Sequence, residues 1–394
     1  MKFSKRVYIL LAIIFLGFFA LGLPDGAFGV AWPHIRQELD VPLERAGFIF
    51  VVHSIFYALT TSQLGRISRF IKEENIGVIG LFGIALGLLG FSIAPYFFVL
   101  ICFVAILGMS MGFVDSSFNA YVSKNFSGRV MNLLHCFWGV GAMISPLIMT
   151  SMVMNSTWRS GYAFNAMIVT AVAISVLISV TRGFWRITAP RKEAVLIADF
   201  DESDSSSETA GYLRGRINES MAVVIFFFYG GAEYGIGYWA VSVLVESRNM
   251  YTETAGLYPA AFYGSIMLGR LVFGLIGNRV RDINALRLGV VLSAVGLVSF
   301  LFTTSIIGML LIGFGFGPII PSAVSDISRR FNPTSTTRLV GYQFAALGSG
   351  IAILATGLGW FLGNVSLEIL FPAVLFMVLT AGLLNEILEH RKRT

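Results

Sequence analysis

The chain has 394 residues, 56% of them hydrophobic and 13% charged, and its mean hydropathy is +0.78. Soluble domains carry about 25% charged residues, so the composition excludes an ordinary water-soluble fold and points to a lipid solvent. The net charge of +6 is spread over short loops between apolar runs, which speaks against a nucleic-acid surface. Cys102 and Cys136 both fall within apolar runs, where neither a disulfide framework nor a zinc site has support.

Apolar stretches of about 20 residues, each long enough to cross a bilayer, recur along the chain. Unbroken runs such as MAVVIFFFYG favour helices over the alternating strands of a closed barrel. The opening MKFSKRVYILLAIIFLG resembles a signal peptide, but its apolar run is long and further spans follow, so a retained first helix is expected. Polar breaks place helices 1 to 6 at about 7–31, 46–66, 75–94, 96–120, 130–153 and 160–181. Helices 7 to 12 fall at about 220–245, 255–276, 285–303, 305–328, 339–362 and 367–387. The expectation is an all-α integral membrane protein with a six-helix half at 1–181, a flexible linker at 182–219 and a second six-helix half at 220–394. The linker has a basic start and an acidic, Ser-rich middle, too polar to insert and too poor in apolar residues to fold alone.

With both termini cytoplasmic, 23 of the 28 Lys and Arg residues lie inside and four (Arg36, Arg45, Arg159 and Arg248) lie outside. Arg270 alone sits within a span. Such an asymmetry predicts a multi-pass protein of the inner or plasma membrane.

The segments LGRISRF, after helix 2, and GRLVFGLIGNRVRD, at the end of helix 8, occupy equivalent places in the two halves. Gly65, Gly274 and Gly277 are expected to let helices approach closely there. Arg66 and Arg270 either mark topology or gate the cytoplasmic seam. Six helices, a linker and six more, with this repeated Gly-Arg segment, resemble the major facilitator superfamily, in which two related halves surround a central site.

Of the 22 acidic residues, 19 fall in loops, in the linker or near helix ends, and three remain inside spans: Asp25, Asp115 and Glu233. A charge at mid-membrane costs about 2.5–3.5 kcal/mol and usually faces a cavity or a partner. Acids that meet water on one side and then a dry, closed state can bind and release protons, so all three are candidate coupling residues. Pro24 and Gly26 flank Asp25, predicting a broken or kinked helix and a role in gating. Asn119 shares a helix face with Asp115, and His135 and Asn132 are expected to reach the same layer from helix 5. Glu233 is surrounded by Tyr229, Tyr234, Tyr238 and Trp239, rings that suit a sugar or equally an interfacial belt. Gln343 is a further candidate substrate contact, and Pro318 and Pro321 are expected to bend helix 10.

Within that superfamily, LGLPDGAFGVAWPHI resembles the helix 1 segment of the fucose–proton symporter family, where Asp25 matches a coupling aspartate. GFVDSSFNAYV resembles its helix 4 segment, with Asp115 in place of a coupling and substrate-binding glutamate. NLLHCFWGVGA resembles its helix 5 motif, with His135 matching a glutamine and Trp138 a sugar-contacting asparagine. FYGGAEYGIGYW and GPIIPSAVS resemble its helix 7 and helix 10 segments. The resemblance implies proton-coupled symport of a small polar solute, a sugar or a related compound.

The same residues also fit a proton antiporter exporting drugs, metabolites or lipids, and sodium could replace the proton. A receptor or an enzyme has less support: no nucleophile–base set is visible, and His34, His53, His135 and His390 lie on distant segments. No cofactor or metal is expected. The expected partners are a small-molecule substrate and membrane lipid, for a monomeric chain.

Overall fold

The computed structural model describes residues 5–126, 128–185, 209–276, 280–330 and 333–393. The first half holds α1 (Lys5–Glu38), α2 (Ala46–Ile67), α3 (Glu73–Ile93), α4 (Phe97–Asn125), α5 (Gly128–Asn155) and α6 (Trp158–Thr181). The second holds α7 (Thr209–Ser242), α8 (Leu257–Ile276), α9 (Asp282–Phe302), α10 (Ile306–Arg330), α11 (Pro333–Gly350) and α12 (Leu370–Arg393). Two wide π turns extend the pattern: Val243–Ser247 follows α7, and Ile351–Ala355 carries α11 on into a helical segment at Thr356–Asn364. Helices alone satisfy the backbone within each segment, as a lipid solvent demands. Among the described residues eleven spans are long and apolar enough to cross a membrane. The twelfth helix, α8, is diluted by Arg270, Tyr258, Pro259 and Tyr263. Large apolar side chains such as Phe98, Leu275, Phe302 and Phe376 face outward, where lipid would meet them.

The two halves repeat one plan. In the first, α1 packs on α5, α4 on both α2 and α3, and α6 on α3; in the second, α7 packs on α11, α10 on both α8 and α9, and α12 on α9. Local features recur at a spacing of 209 residues. Asp40 and Asn249, just past α1 and α7, both take left-handed backbone, with φ of 49° and 51°, a conformation that Asp and Asn tolerate best after glycine. Thr157 and Ser366 both cap the following helix through the side-chain oxygen. A Cβ on Gly141 or Gly350 would run into the carbonyl of Phe19 or Phe227, so both pairs, α1–α5 and α7–α11, rest on one close approach of backbones.

Each half is also tied at the end where α1 and α7 finish. Arg159, at the start of α6, pairs with Glu38 of α1 at 2.8 Å and donates to the Ser92 and Ala94 carbonyls at the end of α3. Arg248, just past α7, pairs with Glu368 ahead of α12 at 2.6 Å and donates to the Phe300 and Thr303 carbonyls at the end of α9. In both cases a guanidinium satisfies the open carbonyls of a helix C-terminus. The polarity is reversed, however: the acid sits on α1 in one half and ahead of α12 in the other.

The same end joins the halves to each other. Arg36 forms an ion pair with Glu246, the Thr356 hydroxyl donates to the Gly47 carbonyl at 3.3 Å, and Phe50 stacks on Tyr238 at 4.2 Å. Toward the opposite end, Gly65 and Gly274 would each find nothing within 4 Å of an added Cβ. The close approach expected of those two glycines is therefore absent in this conformation; Gly277 lies outside the described residues.

Two other expectations change. α1 runs unbroken through Pro24 and Pro33, so of the broken or kinked helix expected at PDG the break is not formed. Gly26 instead admits α5, because a Cβ there would strike the Ala142 backbone and Pro146. Residues 182–185 form a turn in which buried Trp185 accepts a hydrogen bond from Tyr121 on its carbonyl at 2.9 Å, and α7 already begins at Thr209. Residues 186–208 of the expected linker lie outside the described residues.

Cysteines placed at Arg36 and Glu246, in a background lacking Cys102 and Cys136, should be joined by a short bifunctional thiol reagent. After proteolysis between the halves, the two fragments should then migrate together on a denaturing gel; separate fragments would contradict the described contact.

Candidate functional site

The three intramembrane acids reach the interior from three helices, and each has a different neighbourhood. Asp25, on α1, is 7% exposed and accepts a hydrogen bond from the Trp138 indole at 3.0 Å. α5 presents that indole because the close packing at Gly26 and Gly141 brings its backbone against α1. Glu233, on α7, is 3% exposed and lies 3.7 Å from the Arg270 guanidinium of α8. Arg270 also sits over the Trp138 ring, 5.6 Å from its centroid. Asp25, Trp138, Arg270 and Glu233 thus form one continuous chain, and the cation–π contact between Trp138 and Arg270 crosses from the first half to the second. Such a contact is worth about 2 kcal/mol when water is excluded.

Asp115, on α4, accepts from the Tyr57 hydroxyl of α2 and from Asn119 one turn on, at 2.8 Å. Asp25 lies within electrostatic reach of both Asp115 and Glu233. Among the described residues three carboxyls therefore share one field with the Arg270 guanidinium. With all four ionised the cluster carries two uncompensated negative charges, which protons or a cation can neutralise.

Other expected residues are placed as follows. His135 packs edge-on against Phe18 at 5.5 Å, is exposed, and lies within electrostatic reach of Asp115 and Arg270. Among the described residues Asp115 takes its hydrogen bonds from Tyr57 and Asn119, so the direct Asp115–His135 pair is not formed. The Asn132 side chain lies outside the described residues. Tyr229 is buried and its hydroxyl donates to the Phe316 carbonyl at 3.1 Å; Tyr234 lies edge-on to Tyr238 at 5.2 Å. Gln343 is buried but donates to the Ala222 carbonyl at 3.1 Å, about three helical turns from Glu233. Arg66 is exposed and bonds Gln63 at 3.1 Å, remote from the acids. Pro318 and Pro321 lie inside the continuous α10.

Tyr238 and Trp239 are not an interfacial belt. Both are buried, and Trp239 donates at 2.9 Å to the Ala355 carbonyl, which belongs to the π turn following α11. Sequence reasoning missed Tyr57 and His53. These two stand one turn apart on α2, the signature of a polar face in an apolar span, and their rings stack at 6.1 Å.

Replacing Arg270 with Gln leaves Glu233 buried without its cation, a change that costs about 3–5 kcal/mol when a buried pair is broken on one side. Arg270→Gln should therefore lower the thermal unfolding temperature, and the double variant Glu233→Gln/Arg270→Gln should recover most of the loss. Equal losses in single and double variants would show that the pair is not coupled.

Residues 14–384 match the family described as the Major Facilitator Superfamily. The chain is 22% identical over 283 residues to bypass of stop codon protein 6 of Saccharomyces cerevisiae, covering 66% of this chain and 56% of that protein. It is 23% identical over 281 residues to the glucose/mannose transporter GlcP of Bacillus subtilis, covering 68% and 66%. The chain thus spans under two thirds of the length of these curated relatives. In fold it is similar to the nucleoside transporter NupG (D323A mutant), with a TM-score of 0.72 at 11% identity over 97% of this chain and 99% of that one. The match along nearly the whole length, on helices arranged in two repeated halves, makes this chain a member of the Major Facilitator Superfamily.

Proposed function

We propose that the protein is a secondary active symporter that carries a small polar solute, a sugar or a related compound, together with protons. The observation that carries this reading is the charge imbalance of the central cluster, three carboxyls against one guanidinium, that of Arg270, among the described residues. Protons or a cation taken up by the cluster adjust that imbalance, and the chain through Trp138 ties it to the seam between the halves. The aromatic lining around Glu233, the sugar specificity in the printed name of GlcP and the resemblance of the Asp25 segment to fucose–proton symporters support a sugar-like solute.

The distribution of Lys and Arg supports an inner- or plasma-membrane protein with both termini in the cytoplasm. In that orientation the Arg36–Glu246 pair and the Phe50–Tyr238 stack close the outer side, while exposed His135 and the uncontacted Gly65 and Gly274 belong to the inner side. The described conformation is then inward-facing. Alternating access would release the Arg36–Glu246 contact and bring the two glycines against neighbouring helices.

A membrane potential supplies about 2.3 kcal/mol per charge per 100 mV, close to 50-fold accumulation for one proton. In proteoliposomes, uptake of radiolabelled hexoses should rise under an inward proton gradient. Asp25→Asn should reduce gradient-driven uptake at least tenfold while sparing solute exchange. Uptake that follows a sodium gradient instead would reassign the ion, and uptake equal in variant and wild type, with or without a gradient, would refute the reading.

A further inference from the structure

A second path leads away from Asp25, into a pocket of the first half that the Phe50–Tyr238 stack closes on one side. Asp25 lines a cavity of about 40 Å³. All of the lining side chains except Tyr238 come from the first half, among them His53, Leu107, Met111 and Tyr162. A water needs about 10–15 Å³ of such space and two to four polar partners, so the cavity has room for one to three waters. The polar partners are present. Tyr162 is 2% exposed and its hydroxyl is buried with no hydrogen-bond partner. That is an orphan whose burial costs free energy unless something fills the bond. His53 contributes an imidazole whose Nε2 lies 3.3 Å from the Met111 sulfur, a weak partner.

The wall is also connected. The His53 ring stacks on Tyr57, and the Tyr57 hydroxyl donates to Asp115. The cavity therefore links the surroundings of Asp25 and Asp115 through residues of the first half, without entering the seam where Trp138 and Arg270 meet. Outward from it, Tyr162 lies edge-on to Trp158 at 6.1 Å, and Trp158 donates to the partly exposed Glu38 at 2.6 Å.

We infer that this cavity is a water-holding antechamber through which Asp25 exchanges its proton within the first half, separately from the route of the solute, with Tyr162 and His53 as the groups that hold the water. The inference rests on the reading of Asp25 as a coupling acid, but it is tested without transport. The full chain in lipid nanodiscs is mixed with D2O at acidic pH, and the infrared carboxyl band that Asp25→Asn removes is followed as it shifts on deuteration. The wild-type band should shift promptly. Leu107→Phe, which fills the cavity, and Tyr162→Phe, which removes the orphan hydroxyl, should slow the shift at least tenfold with unfolding temperatures close to wild type. His53→Gln keeps a polar wall and should exchange near the wild-type rate, whereas His53→Leu should not. Exchange in Leu107→Phe and Tyr162→Phe as fast as in wild type, or a wild-type band that barely shifts, would overturn the antechamber. Loss of proton-driven uptake is a separate measurement, so failure of the symport reading is distinguishable from failure of this one.

Discussion

A charge taken into a low-dielectric interior must be compensated where it stands, and Arg270 is where this protein meets that requirement. The guanidinium is held on one side by the Glu233 carboxylate and on the other by the face of Trp138. The edge of the same indole is committed to Asp25. One tryptophan therefore reads the state of an acid with its N–H and the position of a cation with its π face, and the two lie on opposite sides of the seam. Any change of charge at either end has a mechanical address in the other half.

The repeat explains why the compensation falls at the seam. α1 and α5 are pressed together by small residues, as are α7 and α11, and these helices, with α2 and α8, face the other half. Polar groups carried there are shielded from lipid by the helices behind them. The outward-facing surfaces can consequently remain almost wholly apolar. The lipid solvent sets the exterior, and the interior is where the sequence departs from it.

Much of this architecture was legible in the sequence. Helix count follows from apolar run length, because that depends on membrane thickness and not on tertiary detail. The three acids stood out for the same reason: the cost of burial makes each exception conspicuous. Partnerships were not legible. Arg270 was visible as the one basic residue inside a span, but nothing local indicates that it faces Glu233, 37 positions earlier on a different helix. Asp115 and His135 matched in depth along their helices and lie within electrostatic reach of each other, but which partners they take was not legible: Asp115 accepts from Tyr57 and Asn119, and the His135 ring packs on Phe18. Pro24 and Gly26 suggested a broken or kinked helix; the backbone stays helical through them, and the glycine serves the neighbouring helix. For Trp239 a sugar contact and an interfacial belt stood equal, because a one-dimensional pattern cannot show the carbonyl that a π turn makes available to it.

The reversed clamps at the ends of α1 and α7 have a consequence for biogenesis. A chain made of two similar bundles, inserted one after the other, risks exchanging equivalent helices between its halves. Here a swap that brought α1 beside α12 would set Glu38 against Glu368, and the matching swap of α6 beside α7 would set Arg159 against Arg248. Both wrong pairings place like charges at a half-buried contact, whereas both correct ones join opposite charges within 2.8 Å. Opposite polarity in the two copies of one clamp gives each half its own identity, and the repeat can assemble without confusing its parts.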